Sequence, residues 1–126
     1  MNSRAMLNTQ WLLNFPKDMR VHMAETYIET MNHDVTQLEQ LLLMGATSTQ
    51  DALVILHKIK GSTAQIGLRT INQSAIYTEK LGKLASPDYP VALSSLMKEV
   101  KQSIVDVKNW KAYNARKANS PKVYCY

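Results

Sequence analysis

The chain has 126 residues, of which 45% are hydrophobic, and it carries a formal net charge of +5. This length suits one domain with a single core, and its apolar runs are too short for a membrane span or a signal peptide. A single cysteine, Cys125, excludes an internal disulfide framework. We therefore expect a cytoplasmic protein that does not enter the membrane, and its positive charge favours an acidic partner.

The apolar periodicity predicts a short N-terminal helix followed by four longer helices. The first 14 residues have the pattern of a brief helix that would cap the bundle. Residues 17–44 contain neither glycine nor proline and follow Pro16, which suits the first turn of a long helix. After a break at residues 45–47, a second long helix begins near Ser48 and ends at Gly67, which is placed as a C-cap.

Two further long helices complete the predicted fold. The third covers residues 69–84, and its predicted buried face consists of Ile71, Ser74, Tyr77, Leu81 and Leu84. A turn with two prolines at residues 85–90 separates it from a last helix at residues 91–116. We therefore predict an all-α fold, an antiparallel four-helix bundle with a short additional N-terminal helix. Residues 1–126 would form one domain, with its core at about 15–116 and a loosely held tail at 117–126.

The second long helix carries a histidine on its outer face. At about 100° per residue, one mostly apolar stripe forms its buried face. That stripe consists of Ala52, Ile55, Leu56, Ile59, Ser62, Thr63 and Ile66. His57 points nearly opposite the stripe, with Lys60 and Gly61 about one turn away. Glycine within a helix is less favourable than alanine by about 1 kcal/mol, so Gly61 does not serve helix stability. Its missing side chain indicates that it leaves a path to the imidazole. A histidine, a bare backbone and a cation together indicate phosphoryl chemistry.

This pattern resembles the signature of histidine-containing phosphotransfer domains, the HPt family. The residues that carry the resemblance are His57, Lys60, Gly61, Ser62 and Gly67. It extends roughly over residues 15–110 and is sharpest from His57 to Gly67. Glu79 stands where the similar domain of chemotaxis histidine kinases has a glutamate that hydrogen-bonds the imidazole. The chain departs from the family in its basic charge and in Leu56, which replaces a small residue often found before the histidine.

The resemblance implies a phosphorelay intermediate of two-component signalling. His57 would accept a phosphoryl group from an aspartate of a response-regulator receiver domain and pass it to another receiver. Glu79 would orient the imidazole, Lys60 would offset the phosphoryl charge, and Gly61 would leave room for access. The expected docking surface consists of Leu53, Val54, Ala64, Lys58 and Lys83.

The implied partners are receiver domains and a hybrid sensor kinase. Magnesium is expected on the receiver, and the chain itself is expected to need no cofactor and to work as a monomer. The sequence has no Walker A loop and no kinase-type glycine-rich loop, so we expect a phosphocarrier without ATP binding or independent kinase activity. A start at Met1 and a short tail favour a free-standing protein over a domain of a hybrid kinase.

Three other interpretations compete with phosphotransfer. A nucleic-acid-binding module would use a basic C-terminal region with interleaved tyrosines, although a lysine-rich helix is more often a solvated face. That region contains Lys98, Lys101, Lys108, Lys111, Arg116, Lys117, Lys122, Tyr113, Tyr124 and Tyr126. A metal site on His22, Glu25, Glu29 and His33 lacks the paired motifs of a di-iron bundle, and a polar outer face explains these residues. A non-catalytic interaction module would have been indicated by loss of His57, which is present.

Overall fold

The computed structural model describes residues 3–48 and 50–119, which form five α-helices and two short 3-10 helices without a strand. The elements in chain order are α1 (Ser3–Thr9), the 3-10 helices Gln10–Asn14 and Lys17–Met19, α2 (Arg20–Leu43), α3 (Gln50–Ile66), α4 (Arg69–Lys83) and α5 (Tyr89–Asn119). No helix in these ranges is both long enough and apolar enough to cross a membrane.

The four long helices form the bundle, and α1 covers one side of it. Helix α3 packs against α4, α2 packs against α5, and α4 also contacts α5. Short connections reverse the chain between successive helices. Helix α1 lies on α5, where the Asn8 side chain donates a hydrogen bond of 2.7 Å to Asp106. The predicted antiparallel four-helix bundle with an additional N-terminal helix is confirmed.

The core extends from the N-terminal segment to the last helix. Trp11 and Leu12 are buried, and the Trp11 ring packs against Tyr27 with ring centroids 5.3 Å apart. Tyr27 also forms a 2.6 Å hydrogen bond with Ser103 across the bundle, so α2 and α5 share a satisfied polar contact within an apolar interior. The 3-10 helix Gln10–Asn14 is therefore part of the packed structure.

The helix boundaries follow the predictions except near the prolines. Pro16 precedes the 3-10 helix Lys17–Met19, and the α-helical part of α2 starts only at Arg20. Helix α5 begins at Tyr89 because Pro90 fits its first turn, where the missing N–H is not needed. Gly67 ends α3 with a φ of +76°, as its C-cap placement predicts. Thr49 and residues 120–126, including Cys125 and most of the predicted tail, lie outside the described residues.

The buried face of α4 differs from the predicted face. Ile71 is buried, but Tyr77 and Leu84 are exposed, while Ala75, Thr78 and Glu79 are buried. The buried positions hold small or polar side chains because α4 lies very close to its neighbours. A Cβ at Gly82, on the same face, would lie 2.9 Å from side-chain atoms of both Leu53 and Tyr89. The predicted face is therefore right for Ile71, which is buried, and for Ser74 and Leu81, which are half-buried, and it is wrong for Tyr77 and Leu84.

Candidate functional site

Helix α3 presents His57 to solvent. Ala52, Ile55, Leu56 and Ile59 are buried, as the apolar stripe predicts, and the His57 side chain on the opposite side is 67% exposed. Leu56 is fully buried, so its size does not obstruct the imidazole. The ring is accessible to an incoming group.

Glu79 reaches the same imidazole from α4. Its side chain is only 5% exposed, and its Oε2 lies 3.2 Å from Nδ1 of His57. A carboxylate can only accept a hydrogen bond, so this contact favours the tautomer with the proton on Nδ1. In that tautomer, Nε2 carries a lone pair.

Two lysines share the carboxylate of Glu79. Lys60 donates to Oε1 at 2.6 Å, and the Nζ of Lys83 lies 3.7 Å from Oε2. Burial by itself would raise the pKa of Glu79, but the hydrogen bond and charge of Lys60, the bond to His57 and the charge of Lys83 together hold that pKa below its ordinary value. Glu79 is therefore ionised at neutral pH. The contact with Lys83 is an i,i+4 pair within α4, so Glu79 also interacts with its own helix.

Gly61 faces open space. An added Cβ there would meet no described atom within 4 Å, so close packing does not explain this glycine. It leaves the surface bare one turn from His57, beside the backbone of Lys60.

A family model described as "Hpt domain" matches residues 22–110. The chain belongs to the Hpt domain family. Hpt domains carry out phosphotransfer in two-component signalling, interact with receiver domains in phosphorelays, and are phosphocarriers rather than kinases. The match spans α2, α3, α4 and most of α5, including His57 and Glu79. Neither the curated proteins nor the solved structures contain a significant match to the chain.

A shallow groove between α3 and α4 lies beside His57 in this Hpt domain. Its lining consists of Gln50, Leu53, Val54, His57, Lys58, Glu79 and Lys83. The groove thus brings together four of the five residues predicted for docking. Ala64 is exposed further along α3, and Lys60 and Gly61 also lie outside this lining. Lys60 was predicted to reach a group on the ring, whereas its ammonium here contacts Glu79.

Sequence reasoning missed Asn72 in α4. Its side-chain amide donates a 2.7 Å hydrogen bond to the carbonyl of Lys60 and contacts Thr63 Oγ1 at 3.3 Å. The bond fixes the turn of α3 that carries Lys60. Asn72 and Glu79 lie two helical turns apart on the face of α4 that meets α3, and this spacing is the signal that was available.

The described residues of the nucleic-acid and metal interpretations lie on α5 and α2 of the Hpt domain. On α5, Lys101 and Lys111 form ion pairs with Glu39 and Glu25 of α2 at 2.5 and 3.1 Å. The side chains of Arg116 and Lys117, and the residues Lys122, Tyr124 and Tyr126, lie outside the described residues. His22, Glu25, Glu29 and His33 are exposed on α2, and no group of three or more potential metal ligands occurs in residues 3–48 and 50–119.

Proposed function

We propose that the protein is a phosphorelay intermediate that accepts a phosphoryl group on His57 from an aspartate of one receiver domain and passes it to another. The observation that supports this most directly is an exposed imidazole whose Nδ1 is bonded to a buried, ionised carboxylate. Such an arrangement orients one ring nitrogen and leaves the other free to act as a nucleophile.

The proposed transfer begins with attack by the Nε2 lone pair on the phosphorus of an aspartyl phosphate. The N–P bond forms as the P–O bond to the aspartyl oxygen breaks, in line, and the carboxylate of the receiver departs with the electron pair. Nδ1 keeps its proton, so the ring becomes positively charged. Glu79 stabilises that charge across the 3.2 Å contact. Transfer to the next receiver runs through the same steps in reverse.

Lys60 has two roles in the proposed mechanism. In the free protein it supports the ionised form of Glu79, and once the phosphoryl group is attached its ammonium offsets charge on the phosphoryl oxygens. Its ammonium lies 2.6 Å from Oε1 of Glu79, the residue that contacts the imidazole, and its side chain is 30% exposed. Both roles are supported, because the ammonium is near the ring and still reaches solvent. Gly61 leaves the space through which the receiver approaches.

The receiver contributes the rest of the site in this proposal. The proposed docking surface consists of Leu53, Val54, Ala64, Lys58 and Lys83. The positive charges of Lys58 and Lys83 suit an acidic receiver pocket that holds magnesium. The proposal also includes a hybrid sensor kinase upstream, a monomeric state and a cytoplasmic location. The kinase is implied by the family resemblance, and the location by the short apolar runs and the single cysteine of the sequence.

The experiment is transfer of radioactive phosphate from a phosphorylated receiver domain to the wild type, to His57→Gln and to His33→Gln. The last variant is a matched control, because His33 is an exposed histidine of α2. We expect acid-labile, alkali-stable label on the wild type and on His33→Gln, and none on His57→Gln. Label that persists in His57→Gln would refute His57 as the acceptor.

A further inference from the structure

Helix α2 contains a buried carboxylate that the proposed mechanism does not use. Asp34 is fully buried, and neither of its side-chain oxygens accepts a hydrogen bond from the described residues. Buried charged groups in folded proteins are normally paired and hydrogen-bonded, because removing them from water is unfavourable. The absence of hydrogen bonds here therefore requires an explanation.

The cation nearest to Asp34 in the ion pairs of the structure is Lys58, the residue after His57. Its Nζ lies 3.5 Å from Oδ1 of Asp34, a long contact for an ion pair, and its side chain is 52% exposed. Lys58 also lines the groove between α3 and α4 that contains His57. It also lines a second groove, between α2 and α3. A flexible four-carbon side chain at this place can serve either helix interface.

We propose that Lys58 is a transferable cation, which Asp34 holds while His57 is unmodified and which moves to the phosphoryl group when His57 carries one. This inference rests on the proposed phosphorylation of His57. A phosphoryl group brings a charge of about −1.5 to −2 and three strong acceptor oxygens. Asp34 offers a single charge without a short hydrogen bond, so the phosphoryl group is the stronger partner.

The release of Lys58 has a consequence for Asp34. Burial already raises the pKa of Asp34, and the nearby ammonium of Lys58, with the charge of His33, opposes that rise. On α5, the lysines that reach α2 are engaged, since Lys101 and Lys111 pair with Glu39 and Glu25. When Lys58 leaves, one cause that opposes this rise is removed, so the pKa of Asp34 rises further and the carboxylate binds a proton from solvent at a higher pH than before. Phosphorylation of His57 is thereby coupled to protonation of Asp34.

The test uses phosphoramidate, a small phosphoryl donor that needs no receiver, and follows the protein by NMR. The 31P shift of the phosphohistidine, recorded against pH, gives the second ionisation constant of the phosphoryl group. The 13C shift of the Asp34 carboxyl group gives its protonation. Variants for comparison are Lys58→Gln, Asp34→Asn and the double variant, with Lys101→Gln as a control for loss of an ion-paired lysine on another helix.

We expect the ionisation constant of the phosphoryl group to be about three- to tenfold smaller in Lys58→Gln than in the wild type, because a nearby ammonium favours the dianion. The ionisation constant of the phosphoryl group should differ by the same factor between Asp34→Asn and the double variant. This pair isolates the effect of Lys58, because neither variant contains a buried carboxylate at position 34. Lys101→Gln should match the wild type. The carboxyl titration of Asp34 should move to higher pH upon phosphorylation of the wild type.

Two results would overturn the inference alone: equal phosphoryl ionisation constants with and without Lys58, or an Asp34 titration that does not change when the 31P spectrum shows phosphohistidine. Failure of the wild type to form any phosphohistidine would count against the proposed function itself and would remove the inference with it. The two failures are therefore distinguishable in one set of spectra.

Discussion

The substitution Gly61→Ala separates access to His57 from the stability of the helix that carries it. A glycine inside a helix is less favourable than alanine by about 0.8–1.0 kcal/mol. The new methyl group would meet no described atom within 4 Å, so no packing penalty opposes this gain. We therefore expect the free energy of unfolding to rise by up to about 1 kcal/mol, which corresponds to an increase in melting temperature of about 4 °C for a domain of this size.

The same methyl group would lie on the surface that a receiver covers in the proposed function. An overpacked contact is unfavourable by about 1–3 kcal/mol, which corresponds to a rate loss of roughly fivefold to 150-fold if it is felt in the transition state. We therefore expect slower transfer from a phosphorylated receiver to Gly61→Ala. Phosphorylation by phosphoramidate should not change, because this donor needs little space.

The matched control is Gly82→Ala in α4. There the added Cβ would lie 2.9 Å from side-chain atoms of Leu53 and Tyr89, so we expect a loss of stability of about 1–3 kcal/mol. Urea unfolding measures both stabilities, and single-turnover transfer measures the rates. A destabilised Gly61→Ala, or one with unchanged transfer from the receiver, would refute the assignment of Gly61 to access.

Three further predictions concern the carboxylates beside α3. Glu79→Gln should fold and should accept phosphate from a receiver about tenfold more slowly or worse, since a hydrogen bond to a charged group is worth about 1.5–3 kcal/mol; an unchanged single-turnover rate would argue against an orienting role. The folded-state pKa of Glu79 is lowered, so its contribution to stability is present above its ordinary value of 4.5 and is lost as the pH falls through the folded-state value; urea unfolding at acidic pH should show this loss in the wild type and not in Glu79→Gln. The folded-state pKa of Asp34 is raised, so its effect on stability is opposite to that of Glu79. The free energy of unfolding should fall as the pH rises from 3.8 to the folded-state pKa of Asp34, and the variant Asp34→Asn should lack this fall.

The sequence was sufficient to place His57 but not the face of α4 that supports it. Large apolar residues mark the buried stripe of α3 and so define its outer side, where His57 lies. In α4 the contact with α3 is close, and close contacts use small residues. Gly82 lies against Leu53 of α3, and the small residues Ala75 and Thr78 are buried on α4, while Tyr77 remains exposed. A pattern that ranks residues by hydrophobicity cannot detect such an interface.

The positions of charged side chains were harder to predict than the positions of their helices. Helical spacing puts Lys60 one turn from His57, but the direction of its ammonium depends on Glu79, which another helix supplies. Asp34 was overlooked, although its spacing from Met31 and Leu38, both buried, places it on the core face of α2. A polar residue on an apolar stripe was a usable signal, whereas its contact with Lys58 depends on how α2 packs against α3.

The exposure of His57 limits what this chain contributes to transfer on its own. Two unit charges 4 Å apart interact by about 1 kcal/mol in bulk water and by about 4 kcal/mol at the lower effective dielectric constant near a protein surface. In the proposed function, with two thirds of the imidazole exposed, Lys60 and Lys83 would act on a phosphoryl group close to the weaker limit. A receiver docked over His57 as proposed would exclude water, and the same lysines would then act close to the stronger limit. The same residues can therefore carry a phosphoryl group with little activation in the free protein and assist its transfer in the complex.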